Sequence, residues 1–324
     1  MTRSPPSQHG GATRKGVPMI DADELTKTYG RRRAVDQLTF RILPGRVTGF
    51  LGPNGAGKST TIRLILGLDS PTHGRVRIDG RPYRGLHRPL RHVGALLDAN
   101  AVHGGRRARD HLRWLAQTND IPRSRVAEVL RMTGLAEAGH RCVRGFSLGM
   151  KQRLGIAAAL LGDPEILIFD EPLNGLDPDG VHWVRGLIRS MAAEGRTVLI
   201  SSHLMSELQL TVDHVLILAR GRLLSDSGMA ELVRSSGGDV LVRTAGDTPL
   251  AALLTVRGAT VAPESGQGLA VTGLGPGEIA TVAATHGIAL VELTPRAPSL
   301  EKVFRRITDP ELQYRAEPRR EDAR

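Results

Sequence analysis

The sequence predicts an α/β protein followed by a smaller α+β domain, and three observations carry that reading. Short apolar runs at residues 46–51, 166–169, 197–201 and 215–218 alternate with stretches of helical periodicity, the pattern of a parallel sheet covered on both faces. Ahead of them, residues 19–29 and 33–43 alternate polar and apolar side chains, as strands of a half-exposed antiparallel sheet do. Behind them, after Gly237 and Gly238, four short strand-like runs and two short helical runs follow in β-α-β-β-α-β order.

The elements follow in chain order. The run 46–51 is a buried-strand candidate; a glycine-rich loop comes next; then residues 58–68 place Ile62, Ile65 and Leu66 at helical spacing. Residues 106–162 read mainly as helices, with breaks at 119–122 and 139–145. Helices are expected at 179–193 and 204–212, between the later strands. In the C-terminal module the strands are VLVRT, ATVAP, LAVTG and ALVEL and the helices cover 249–256 and 277–286, so a ferredoxin-like domain is expected at 239–308. Residues 1–18 carry Arg and Lys without an apolar core and read as a flexible arm. Residues 309–324 mix charges with no apolar period and read as a frayed tail.

Composition limits what the chain can be. In 324 residues, apolar side chains make up 40% and aromatic ones 3%, so Leu, Val, Ile and Ala must fill the core. The stretches 265–277 and 279–291 are the longest without a charged residue, too short for the roughly 20 apolar residues of a membrane-spanning helix. One cysteine, Cys142, excludes an internal disulfide and suits a reducing compartment. The formal charge of +11 is concentrated: residues 81–113 hold eight Arg against Asp98 and Asp110. His73, His87, His92, His103 and His111 lack ligand spacing and read as surface residues.

The chemistry begins at Gly52-Pro53-Asn54-Gly55-Ala56-Gly57-Lys58-Ser59-Thr60, a match to the phosphate-loop pattern in its expected place between strand and helix. Glycines let successive backbone N–H groups converge on a phosphate at a helix N-terminus. Lys58 adds charge there, and the Ser59 hydroxyl suits Mg²⁺. The run 166–169 ends in Asp170 and Glu171; Asp170 suits the metal shell, and Glu171 suits an attacking water beside the γ-phosphate. Gly145-Phe-Ser147-Leu-Gly149 also fits the nucleophile elbow of hydrolases, but residues 137–144 before it are polar and broken by Gly139, where the elbow needs an apolar strand.

Phe146-Ser147-Leu148-Gly149-Met150-Lys151-Gln152-Arg153 resembles the signature motif of the ATP-binding cassette (ABC) family, and other motifs agree in order. Tyr29 resembles the aromatic that stacks on adenine, Asn174-Gly175-Leu176-Asp177 the loop linking two cassettes, and Ser201-Ser202-His203 the switch histidine. Two departures stand out. Leu148 takes the place of a signature glycine, and Asp98 falls where the family has a glutamine near the metal. The resemblance covers residues 19–235. It implies a P-loop ATPase fold with a mixed sheet core, an antiparallel β subdomain and a helical subdomain. It implies ATP and Mg²⁺ as ligands, Lys58, Glu171 and His203 as catalytic residues, and Ser59, Asp98 and Asp170 as metal ligands. Ser147 and Gly149 would bind the γ-phosphate held by a partner cassette in a homodimer, with Asp177 linking the two. The implied setting is the inner face of the cell membrane, beside a separate integral-membrane permease of a drug- or bacitracin-resistance-type exporter. ABC proteins that act on nucleic acid or ribosomes are the alternative. They carry long internal coiled coils or two cassettes in one chain; this sequence shows neither, and no nucleic-acid partner is expected.

Overall fold

A computed structural model describes residues 19–203, 208–235, 238–245, 249–264 and 268–296. The expected arm 1–18 and tail 309–324 lie outside the described residues, as do residues 204–207 of the helix expected at 204–212.

The chain opens with a hairpin of β1 (Ile20–Tyr29) and β2 (Arg32–Ile42), paired antiparallel from Ile20 opposite Ile42 to Tyr29 opposite Arg32. β3 (Val47–Leu51) is fully buried and leads through the glycine-rich loop into α1 (Lys58–Ile65). That helix ends earlier than its apolar spacing suggests, because Gly67 turns the chain with a left-handed φ of 62°. β4 (His73–Ile78) then joins the hairpin to form a three-stranded sheet, β2-β1-β4.

β5 (Val93–Leu96) precedes three helices: α2 (Ala108–Thr118), α3 (Arg123–Met132) and α4 (Leu148–Leu160). These are the helices expected within 106–162. β6 (Ile166–Asp170), α5 (Pro178–Ala193) and β7 (Thr197–Ser202) follow. β8 (His214–Ala219) and β9 (Arg222–Gly228) complete a six-stranded sheet of order β5-β6-β7-β3-β8-β9. The pairs β5–β6, β6–β7 and β7–β3 are parallel, which crossover helices require. Close packing fixes part of this layer: a Cβ on Gly94 would lie 2.0 Å from the carbonyl oxygen of Ala159, so α4 crosses β5 at backbone contact.

After α6 (Met229–Ser235) come β10 (Asp239–Thr244), α7 (Leu250–Val256), β11 (Thr260–Glu264), β12 (Gly268–Thr272), α8 (Pro276–Thr285) and β13 (Leu290–Arg296). Their antiparallel sheet has the order β11-β12-β10-β13, the ferredoxin-like arrangement. Val242, Leu250, Leu254, Val271, Ile279 and Val282 bury a core of their own there. Two compact units divide the chain. One runs to His203 and takes back Leu218–Leu223; the other holds Leu204–Ile217 and everything from Leu224 onward. No helix among the described residues is long and apolar enough to cross a membrane.

Candidate nucleotide-binding site

Strand register puts the chemistry at one edge. Leu51 lies opposite Ser202, and Asp170 opposite Ser201, so β3, β6 and β7 end side by side. The phosphate loop leaves the sheet at Gly52, the acidic pair at Asp170 and Glu171, and His203 just after β7. Ligands of open α/β sheets bind at this carboxyl edge.

The loop is built for close approach. A Cβ on Gly52 would sit 2.3 Å from the carbonyl oxygen of Leu218, and one on Gly57 would sit 2.7 Å from that of Ala34. Gly57 also has a φ of 107°. It is the N-cap of α1 and offers no side chain, so the first-turn N–H groups keep their donors for an incoming anion. The Lys58 ammonium donates to the carbonyl oxygens of Gly52 at 2.6 Å and Pro53 at 3.3 Å. Its burial pushes the Lys58 pKa down, while the charges of Glu171 and Asp170 oppose that shift.

Glu171 is held on every side. Its backbone is left-handed, with a φ of 51°, and its N–H donates to Ser201, both to the carbonyl oxygen at 3.2 Å and to Oγ at 3.0 Å. Its carboxylate lies 4.0 Å from Lys58 Nζ through Oε1 and 3.0 Å from His203 Nδ1 through Oε2. The Ser201 hydroxyl donates to Asp170 Oδ1 and so orients the neighbouring carboxylate.

A cleft of about 430 Å³ over the loop is lined by Tyr29, Arg32, Ala34, residues 54–60 and Glu171. Tyr29 is 46% exposed, leaving ring surface for an aromatic ligand, and its hydroxyl donates to Asp69 Oδ2 at 2.9 Å. Arg32 and Ala34 escaped the sequence reading, since nothing in a hairpin's alternating pattern marks which residue overhangs a distant loop.

Other expected residues lie elsewhere. Ser147 caps α4 by accepting from the Met150 N–H at 3.2 Å, and Asp177 caps α5 by accepting from the Gly180 N–H at 2.9 Å. Gly149 stands beside Leu176 and Gly175. Neither Ser147 nor Gly149 lines the phosphate cleft of its own chain. Asp98 does not join that cleft either. It lines a separate, largely apolar one with Leu68, Tyr83 and His111, and accepts from the Asn100 N–H at 2.8 Å.

The fold and the loop define a P-loop nucleotide-binding ATPase. Residues 35–174 match the ABC transporter family, and residues 238–301 match a domain of unknown function. The bacitracin transport ATP-binding protein BcrA of Bacillus licheniformis is 44% identical over 64% of this chain and 69% of its own length. The Nod factor export ATP-binding protein I of Ralstonia nicotianae is 31% identical over 95% of this chain and 98% of its own. Among solved structures, an ATP-binding subunit of an ABC transporter superposes with a TM-score of 0.62 at 28% identity, covering 67% of this chain and 93% of its own. The chain belongs to the ABC transporter family of ATP-binding proteins; it binds ATP and is an ATPase.

Proposed function

We propose that the chain is the ATP-hydrolysing subunit of an exporter, working as a cassette homodimer on the inner face of the cell membrane and driving a separate integral-membrane permease. The observation that carries this reading is the fixed carboxylate of Glu171, set between the Lys58 ammonium and the His203 ring at the mouth of the phosphate cleft. Export is supported by the names of relatives: BcrA and the lantibiotic transport protein SrtF of Streptococcus pyogenes serve transport, and the Ralstonia protein serves Nod factor export.

In this reading the loop N–H groups and Lys58 hold the β and γ phosphates, and the exposed face of Tyr29 stacks on adenine. Glu171 accepts a hydrogen bond from the attacking water and polarises it, while His203 fixes the rotamer of Glu171 and contacts the γ-phosphate. The donor set suits magnesium: the Ser59 hydroxyl stands at the N-terminus of α1 and the Asp170 carboxylate is oriented by Ser201, two oxygen ligands of the kind that ion takes. Bound there, magnesium would neutralise phosphate charge. Asp98 is left outside this set because it lines another cleft. The exposed Ser147 and the half-buried Gly149, at the start of α4, would close on the γ-phosphate of the second cassette, with Asp177 at the seam. Residues 19–235 form the cassette in this reading and 239–308 an accessory domain.

The test is a pair of variants. Glu171→Gln should bind ATP, lose hydrolysis and elute as a dimer with MgATP, whereas Lys58→Ala should lose nucleotide binding. A Glu171→Gln protein that hydrolyses ATP at the parent rate overturns the assignment.

A further inference from the structure

A second cleft of about 430 Å³ lies on the helical subdomain between α2 and α3, away from every residue assigned above. Its rim carries Arg109 and Arg113, one turn apart on α2, with Arg123 and Arg131 at the two ends of α3; Val126 and Leu130 form its floor. Arg113 shares its charge with Asp110 at 3.3 Å. Arg109, Arg123 and Arg131 have no acidic partner among the described residues, and Glu128 on α3 is taken by Arg125. Four guanidinium groups converging over an apolar floor match an anion that carries its own apolar stem. Next to Arg113, Trp114 is 51% exposed and lies under the Arg106 guanidinium, 5.2 Å from its ring centroid. An exposed indole beside arginines is the pairing that settles at a membrane interface.

We propose that this cleft binds the phosphate headgroup of an anionic lipid, docking the helical subdomain on the membrane surface with Trp114 at the headgroup level. The inference rests on the membrane setting of the proposed function but requires no permease. The full-length protein is tested against protein-free vesicles of phosphatidylcholine with and without phosphatidylglycerol. Binding is expected only to the anionic vesicles and should weaken as salt rises.

Each of Arg109→Gln, Arg123→Gln and Arg131→Gln should weaken binding about fivefold, the factor for about 1 kcal/mol per basic residue at such a surface. The Arg109→Gln/Arg131→Gln double variant should lose about 25-fold if the effects add. Arg189→Gln, on the exposed face of α5, should bind as the parent does. In a Trp183→Phe protein, where Trp114 is the one remaining tryptophan, emission should shift to the blue on anionic vesicles. Equal binding to both vesicle types overturns the proposal. So does binding untouched by the double variant, which would assign it to other basic residues, and so does a protein that takes up duplex DNA but no vesicles. Hydrolysis measured alongside separates the two readings: if vesicle binding fails while permease-dependent ATPase activity persists, the lipid cleft alone falls.

Discussion

The Gln152 side-chain amide donates to the backbone carbonyl oxygen of Glu171 at 3.1 Å, joining the signature helix to the acidic pair within one chain. Gln152 is buried, and Glu171 sits in the left-handed region that a non-glycine residue holds only when its surroundings insist. Gln152→Leu removes this donor and leaves the Glu171 carbonyl with the Asn174 N–H alone, at 3.3 Å, a loss of about 1–1.5 kcal/mol. The expected outcome is a kcat about tenfold lower with nucleotide affinity unchanged, since no loop contact to phosphate involves Gln152. Parallel losses in kcat and affinity would mean that the whole site had collapsed.

Two glycines of the phosphate loop separate strain from clash. Gly55 has a φ of 81°, but a Cβ there meets only the tip of Arg32 at 3.5 Å. At Gly57 a φ of 107° comes with a backbone oxygen 2.7 Å from the new carbon. Gly55→Ala should therefore lower stability by about 1 kcal/mol and keep measurable ATP binding. Gly57→Ala must move the loop from β2 and should abolish binding. Thermal unfolding and nucleotide titration of both variants check the order.

Asp36 gives a pH signature. Its buried carboxylate accepts from Arg33 at 2.7 Å and Arg222 at 2.8 Å, while its N–H donates to the Gly221 carbonyl oxygen at 2.8 Å. The hydrogen bonds from Arg222 and Arg33 hold its pKa below the ordinary 3.8. A depressed folded value means stability that is present above the unfolded value and lost as pH falls through the folded one. Wild type should exceed Asp36→Asn in melting temperature at neutral pH, and the gap should close below about pH 3.8. A gap that persists unchanged below the folded pKa would show that the carboxylate charge contributes nothing.

The helices and the central strands were legible because burial left its mark on the sequence: Ile166 to Phe169 are continuously apolar, and α2 and α3 carry a helical period. The strands that escaped had no such mark. β4 is mostly exposed and reads HGRVRI, β5 has four residues, too few to show a period, and β9 is half polar. Motif spacing marked Lys58, Asp170, Glu171 and His203, whereas Gln152 and Arg32 reach the site through the fold, which no local pattern encodes. The basic stretch 81–113 was visible as charge. That Arg109 and Arg113 converge with Arg123 and Arg131 follows from the packing of α2 on α3.

Asp98 is where the family resemblance and the geometry part. The motif count sets it at the position of a metal-proximal glutamine, yet its carboxylate faces a cleft shared with Leu68, Tyr83 and His111 and is engaged by the Asn100 N–H at 2.8 Å. Asn100 in turn accepts from the Lys151 ammonium at 3.1 Å, so the turn after β5 is tied to α4. An asparagine at position 98 can still accept from Asn100 through its amide oxygen, so Asp98→Asn removes charge and keeps the turn. A charged oxygen ligand on magnesium contributes about 1 kcal/mol more than a neutral one, which would raise the half-maximal Mg²⁺ concentration several-fold on substitution. From the placement of Asp98, superimposable Mg²⁺ titrations of ATPase rate are expected for parent and variant. Curves several-fold apart would bring Asp98 into the metal shell during turnover and require the 98–101 turn to move toward Ser59. Lys151→Met, which releases Asn100 from α4, should then shift the same titration.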